Sequence, residues 1–192
     1  DGLNAGQMLA GGLKAAILLN VEPEFDAADG KKALAGLGQA EMVISMSPFK
    51  ANMDIADVLL PIAPWTETPG TFVNAEGRVQ SFHAVVKPAG ETRPAWKVLR
   101  VIANTMGLPG FEFESAQEVL AAARGLQDLA ASHVQGGVLS NATGAAIDVA
   151  AAAGTPATAA IYQLDGIVRR ATSLQLTADG RSAAMAREET PA

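Results

Sequence analysis

The sequence predicts an α/β fold: a parallel sheet with flanking helices, followed by a less regular carboxyl-terminal extension. Three observations carry that expectation. Three short apolar runs, KAAILLN (14–20), EMVISMS (41–47) and DVLLPIA (57–63), are separated by segments of helical character, the spacing of βαβ units. A longer segment, PAWKVLRVIANTMG (94–107), sets Trp96, Leu99, Ile102 or Ala103, and Met106 on one stripe at helical spacing. Past residue 125 the pattern weakens into a stretch dominated by Ala, Gly and Thr.

Each element has a local reason. KAAILLN is continuously apolar, which predicts a strand buried on both faces. Asp26 is a candidate N-cap for a helix over 27–37, and Gly38 is its stop. EMVISMS reads as a second buried strand. Pro48 suits a first helical turn, so 48–56 is expected to be a short helix. In DVLLPIA, Pro61 places the third strand at a sheet edge or ends it early. For the helix over 94–107, Thr92 is a candidate cap, Pro94 sits in the first turn, and Gly107 with Pro109 stops it. SAQE (115–118) is a capping box, in which Ser115 and Glu118 each cover the other's free backbone donor. The segment 160–177 recovers apolar character and is expected to dock as a strand or extended arm. The last residues read as a tail. The division is therefore an α/β domain over 1–125, an Ala/Gly-rich linker or surface segment over 126–160, and a carboxyl-terminal arm and tail over 161–192.

Composition narrows the function. The 192 residues are 49% apolar and carry a formal charge of −6, without the clustered basic face that a nucleic-acid partner needs. The absence of cysteine excludes Cys-ligated iron–sulfur clusters and Cys-ligated zinc within this chain. No apolar run reaches the length of a membrane span, and no signal peptide is visible, so no direct membrane insertion is expected. The Gly-rich opening runs straight into a strand, which suggests a piece of a longer polypeptide.

Several motifs invite a function and have plainer readings. GLGQAE (36–41) resembles the start of a dinucleotide fingerprint, but it lacks the third glycine and ends a helix rather than following a strand; a helix C-cap accounts for it. His83 and His133 have no ligand spacing, so no metal site is expected. Arg169-Arg170 could meet a phosphate, an acidic partner, solvent or an ion-pair partner. Trp65 could line a pocket or pack under a loop, whereas Trp96 is read as core. The richest stretch is ETPGTFVNAEGRVQS (67–81), which directly follows the third strand. In open α/β sheets ligands sit beyond the carboxyl ends of the strands, where Glu22 also lies. Gly70 and Gly77 permit unusual backbone or close approach, and Thr71, Asn74, Glu76 and Arg78 supply polar groups. Chemistry alone leaves a ligand loop and a braced turn equally good descriptions.

The segment DIADVLLPIAPWTETPGTFVNAEGRVQSFHAVVKPAGETRPAWKVLRVIANTMGLPGFEF (54–113) resembles the large iron–sulfur subunit of bacterial NADH-quinone oxidoreductase, respiratory complex I. ADV.LP followed by E..GTF.N.EGR is shared with the wider molybdopterin oxidoreductase superfamily, which includes formate dehydrogenases and nitrate reductases. VQSF, VVKP, RPAWKVLR, KAAILLNVEPEFD and the terminal IYQLDGIVRRATSLQLTAD (161–179) are similar to the complex I branch. The resemblance implies a Rossmann-like domain that scaffolds the peripheral arm on the cytoplasmic side of the inner membrane. It also implies no chemistry and no cofactor within this chain. Its partners would be neighbouring complex I subunits and the amino-terminal domains of the same subunit, where the iron–sulfur clusters would lie. By the same resemblance, Thr71, Asn74, Glu76, Gly77 and Arg78 correspond to positions beside the pterin in catalytic members. In the complex I branch that site would be vestigial, with Glu76 and Arg78 pairing within the protein and Asn74 tying backbone. The alternative is a domain of a molybdenum oxidoreductase that still binds molybdopterin.

Overall fold

A computed structural model describes residues 2–75, 77–123, 125 and 161–182. The chain forms two compact units: Asp1–Leu59 with Ala152–Ala192, and Leu60–Ala151. The first holds a three-stranded parallel sheet in the order β1 (Ala15–Leu19), β2 (Met42–Ser47), β3 (Val58–Pro61), with β3 leading out into the second unit. The expected α/β architecture is present, and the three strands fall within the three apolar runs. Pro61 is the last residue of β3, an edge strand among the described residues, a position that tolerates proline.

Central β2 is the most buried strand. Val43 and Met46 are inaccessible, and Val43 clusters with Leu18 and Leu37, against which Leu9, Ala16, Ala40, Ile55 and Ala56 pack. β1 pairs with β2 in parallel from Ala15↔Met42 to Leu19↔Met46. Burial of β1 corrects one expectation. Leu18 is 7% exposed, but Ile17 and Leu19 are 49% and 43% exposed, so only one face is covered among the described residues. The continuous apolar run is suited to two covered faces; α1 (Ala5–Leu9), α2 (Pro23–Asp26) and α3 (Gly30–Leu37) leave these two residues open.

The helix over 27–37 begins later than expected. Asp29, not Asp26, is its N-cap, accepting the Lys32 N–H, while Asp26 accepts the Glu22 N–H at 2.7 Å. The preceding Pro23–Asp26 turn consumes the earlier aspartate. Gly38 is the C-cap, as the helix-stop reading requires. No helix forms over 48–56. Instead Asn52 takes a left-handed conformation (φ 60°), and its Nδ2 donates to the Val21 carbonyl and the Ser45 hydroxyl. Asparagine tolerates that region because its short amide bonds locally. Asp57, just before β3, holds Val43 twice: its N–H donates to the Val43 carbonyl and its carboxylate accepts the Val43 N–H.

In the second unit, Ile62 bridges Arg93 in parallel, which leads into α4 (Ala95–Thr105). Pro94 is the cap position of α4; the Thr92 hydroxyl donates instead to the Ala89 carbonyl. Ala103 is its buried residue, Trp96, Leu99 and Ile102 are half-buried, and Met106 is exposed past the helix end, which narrows the expected stripe. Ser115 caps α5 (Ala116–Ala122) by accepting the Glu118 N–H, but the box is not reciprocal: the Glu118 carboxylate takes the Ser115 hydroxyl and the Glu114 N–H. No helix among the described residues is long and apolar enough to cross a membrane. The expected linker over 126–160 and the end of the tail lie outside the described residues.

The carboxyl-terminal segment is helical, not a strand. A 3-10 turn (Ile161–Gln163), α6 (Gly166–Arg169) and α7 (Thr172–Gln175) follow one another, and residues 178–182 continue as helix.

Gly36 in α3 and Gly38 at its C-cap give a contrasting prediction. A Cβ at Gly36 would stand 2.3 Å from the Leu9 carbonyl oxygen, so α1 and α3 meet there backbone to backbone. Gly38 has ordinary helical torsions (φ −63°) and its nearest neighbour would be 3.4 Å away. Gly36→Ala is expected to destabilise the first unit by ~1–3 kcal/mol, the scale of overpacking. Gly38→Ala should be neutral or stabilise by up to ~1 kcal/mol through a less flexible unfolded chain. Urea unfolding of the two variants checks both.

Candidate functional site: the β4–β5 hairpin

The stretch 67–81 is the core of an antiparallel hairpin, β4 (Gly70–Val73) and β5 (Val79–Phe82), within the second unit. The register runs Gly70↔Phe82, Thr71↔Ser81, Phe72↔Gln80, Val73↔Val79. Opposed residues share a face, so Gly70, Phe72, Gln80 and Phe82 lie on one side, and Thr71, Val73, Val79 and Ser81 on the other. The rings of Phe72 and Phe82 stack at 5.1 Å with 15° between planes. Phe82 also lies over Gly70, where an added Cβ would come 2.6 Å from the ring tip. This glycine is a seat for an aromatic, not a hinge.

The turn is closed from within. Asn74 N–H donates to the Arg78 carbonyl, Gly77 N–H donates to the Asn74 carbonyl, and the Asn74 side-chain oxygen accepts the Arg78 N–H at 2.9 Å. Gly77 takes φ +81°, a left-handed conformation that glycine adopts at little cost. Asn74 thus ties backbone. Glu76 lies outside the described residues, and with it the expected Glu76–Arg78 pair.

On the other face the Thr71 and Ser81 hydroxyls are 3.0 Å apart. One hydroxyl donates to the other, which leaves the pair one O–H donor and spare lone pairs to offer outward. Upstream, a 3-10 turn (Trp65–Glu67) is tied to the segment after β5: Thr66 accepts the Val85 N–H, and the Glu67 carboxylate accepts the Ala89 N–H at 2.8 Å. Trp65 is 56% exposed and so is not packed under the loop. His83 lies just beyond β5 rather than within a strand. Among the described residues, no three His, Cys, Asp or Glu side chains gather as a metal site would require.

The structure therefore brings Thr71, Asn74, Gly77 and Arg78 into one hairpin but gives them different work. Asn74, Gly77 and the Arg78 backbone build the turn; Thr71 stands on the strand. Ser81 and Glu67 were not singled out from the sequence. Placing the turn between Asn74 and Arg78 puts Ser81 opposite Thr71 by simple counting, so that signal was available. Nothing local marks Glu67, whose partner is 22 residues away.

With this geometry in view, the similarity to known proteins has a structural address. A family model, molybdopterin oxidoreductase, matches residues 2–105, more than half of the chain. The chain belongs to the molybdopterin oxidoreductase family. Among its relatives are a formate dehydrogenase-like protein of Staphylococcus aureus, 41% identical over 66 residues (34% of this chain, 7% of the relative), and a nitrate reductase of Shewanella frigidimarina, 29% identical over 106 residues (54% and 11%). The chain thus spans about a tenth or less of the length of these relatives. Among solved structures, acetylene hydratase from Pelobacter acetylenicus aligns with a TM-score of 0.44 at 28% identity, covering 52% of this chain and 14% of that one.

The turn makes a direct prediction. Asn74→Ala removes the side-chain tie and should cost ~1 kcal/mol, the net worth of one such hydrogen bond. Gly77→Ala should cost ~1–2 kcal/mol by forcing a Cβ into the left-handed region. Both losses should be read as faster amide exchange at Val79–Phe82.

Proposed function

We propose that this chain is a framework domain of a molybdopterin-family oxidoreductase akin to the formate dehydrogenases and nitrate reductases, and that its β4–β5 hairpin forms one wall of the pterin site. The single observation behind this is the Thr71–Ser81 hydroxyl pair. It lies within the family-matched segment and keeps hydrogen-bonding capacity on the side away from the stacked phenylalanines. A pterin presents a flat edge of alternating donors and acceptors, and two adjacent hydroxyls suit one position on it. The Asn74 side-chain oxygen already accepts a backbone N–H, so its part is to hold the turn that presents the pair. A bound molybdenum–pterin group supplies the redox change of the metal. The hairpin residues bind and orient, and none of them moves a proton in this reading.

A second reading is favoured by the turn itself and by the terminal segment 161–179. The Asn74–Arg78 turn is closed by its own hydrogen bonds, as a scaffold requires. The terminal segment enters through the resemblance in its sequence, which implies the complex I branch. On this reading the domain holds no pterin and steadies neighbouring cluster-bearing domains in the peripheral arm, on the cytoplasmic side of the bacterial inner membrane. The whole complex carries electrons from NADH to quinone.

Metal analysis of the full-length parent protein separates the two. The first reading expects stoichiometric molybdenum or tungsten; iron with neither metal supports the second. If pterin is bound, Thr71→Val with Ser81→Ala should weaken its retention roughly fivefold to tenfold, the scale of one lost hydrogen bond. The urea midpoint should stay unchanged.

A further inference from the structure

The crevice outside the carboxyl ends of parallel strands is where open α/β sheets bind ligands. In the first unit that edge is built by residues following β1 and β2, chiefly Glu22, Phe25 and Asp26 after β1 and Phe49 after β2. The chain's own segment Asp165–Arg170 sits on it. Arg170 grips Glu22 bidentately, Nη1 to Oε1 at 2.8 Å and Nη2 to Oε2 at 3.1 Å, and its guanidinium stacks 4.1 Å from the centre of the Phe49 ring. Arg169, whose side chain is 6% exposed, reaches Glu22 at 3.2 Å and pairs with Asp26, with its guanidinium 4.5 Å from the centre of the Phe25 ring. The approach is close: a Cβ on Gly166 would stand 3.3 Å from the Glu22 carboxylate and 3.5 Å from the Phe49 ring.

The segment is shaped for this docking. Asp165 caps α6 by accepting the Ile167 and Val168 N–H groups. Gln175 knots α7 to the preceding turn, its Nε2 donating to the Tyr162 and Val168 carbonyls and its Oε1 accepting from Gln163. The Arg169 Nε donates to the Gln163 carbonyl, which fixes the guanidinium's direction. The receiving edge is poorly made for a phosphate. It carries two carboxylates, and several backbone donors that could cradle an anion are engaged: Asn20 N–H with the Met46 carbonyl, Glu22 N–H with Asp26, and Phe49 N–H with the Ser47 hydroxyl.

We infer that the carboxyl-terminal segment is a built-in plug: its arginine pair occupies the ligand edge of the parallel sheet and closes it to phosphate-bearing ligands. The surface it fills recognises paired guanidinium groups backed by two aromatic rings. This goes beyond the function proposed above, which concerns the hairpin of the other unit, and stands or falls independently of it.

Hydrogen exchange on the full 192-residue chain tests the proposal. In Arg169→Gln with Arg170→Gln, amides of 167–176 should exchange roughly tenfold faster or more, the scale of losing charge-assisted hydrogen bonds. Amides of β1 and β2 should keep their protection. Swapping the charges, Glu22→Arg with Arg170→Glu, should restore part of what Arg170→Glu alone loses. Millimolar inorganic pyrophosphate should leave residues 20–26 and 49–52 of the unaltered chain unprotected beyond their starting level. Three results would overturn the proposal: free-peptide exchange of 167–176 in the unaltered chain, wild-type exchange in the double variant, or pyrophosphate protection of the edge with 167–176 still protected. Should the double variant fail to fold, the charge swap and the pyrophosphate titration still decide.

Discussion

A guanidinium taken out of water must find partners for its donors, and Arg169 finds them on both sides of a long detour in the chain. Its side chain is 6% exposed, and its contacts are the Gln163 carbonyl, Glu22, Asp26 and the Phe25 ring. The partners lie 143 residues away in sequence at Asp26 and, for Arg170, 148 residues away at Glu22. Desolvating such a group is costly unless the geometry is complete, so each contact depends on the others. The first unit is closed by this constraint: the turn after β1 supplies the carboxylates, the turn after β2 supplies Phe49, and the terminal helices supply the cations. The length of the intervening chain is a small obstacle, because loop-closure entropy grows only by ~0.6 kcal/mol for each doubling of length.

The hairpin shows how ligand-like chemistry and turn chemistry share residue types. Asparagine and glycine are what a tight turn with a left-handed position needs, and also what a polar loop around a cofactor needs. The sequence could not separate the two. Strand register and turn position separate them. Asn74 and Gly77 face inward on the turn's own hydrogen bonds, and Gly70 makes room for Phe82. Thr71 and Ser81 stand on the strands instead, with their hydroxyls paired with each other. Polar groups that look equivalent along the sequence are sorted by which strand face and which turn position they occupy.

The elements legible in the sequence were those whose signal is local. The three strands, the α4 helix, the Gly38 stop and the Ser115 cap each follow from apolar runs or capping chemistry within a few residues. Two acidic residues three apart, Asp26 and Asp29, could each have capped the same helix; the choice was settled by Pro23, which starts a separate turn that takes Asp26. The expected helix at Pro48 lost to Asn52, whose side chain bonds to Val21 and Ser45 across the unit. The terminal segment was the least legible because it docks by its polar side. Ile161, Leu164, Ile167, Leu174 and Leu176 are exposed, while Gln163, Arg169 and Gln175 are turned inward. Reading apolar residues as the docking face therefore pointed the wrong way, and the arginine pair, for which a solvated or ion-paired role was the plainer reading, was the real anchor.

The two candidate ligand surfaces then come apart. Fold analogy favours the carboxyl edge of the parallel sheet, and that edge carries carboxylates, engaged backbone donors and two of the chain's own guanidinium groups. The hairpin has no parallel strands and no helix N-terminus, yet it offers a hydroxyl pair with hydrogen bonds to spare. An anionic or phosphate-bearing group approaching the sheet edge would have to displace Arg169 and Arg170 and then face Glu22 and Asp26 alone, an electrostatic loss on both counts. The Thr71 and Ser81 hydroxyls are uncharged, so a polar, flat ligand there breaks no such ion pair. Charge and hydrogen bonding thus set the two surfaces apart: the sheet edge holds paired carboxylates and guanidinium groups, and the hairpin holds a hydroxyl pair.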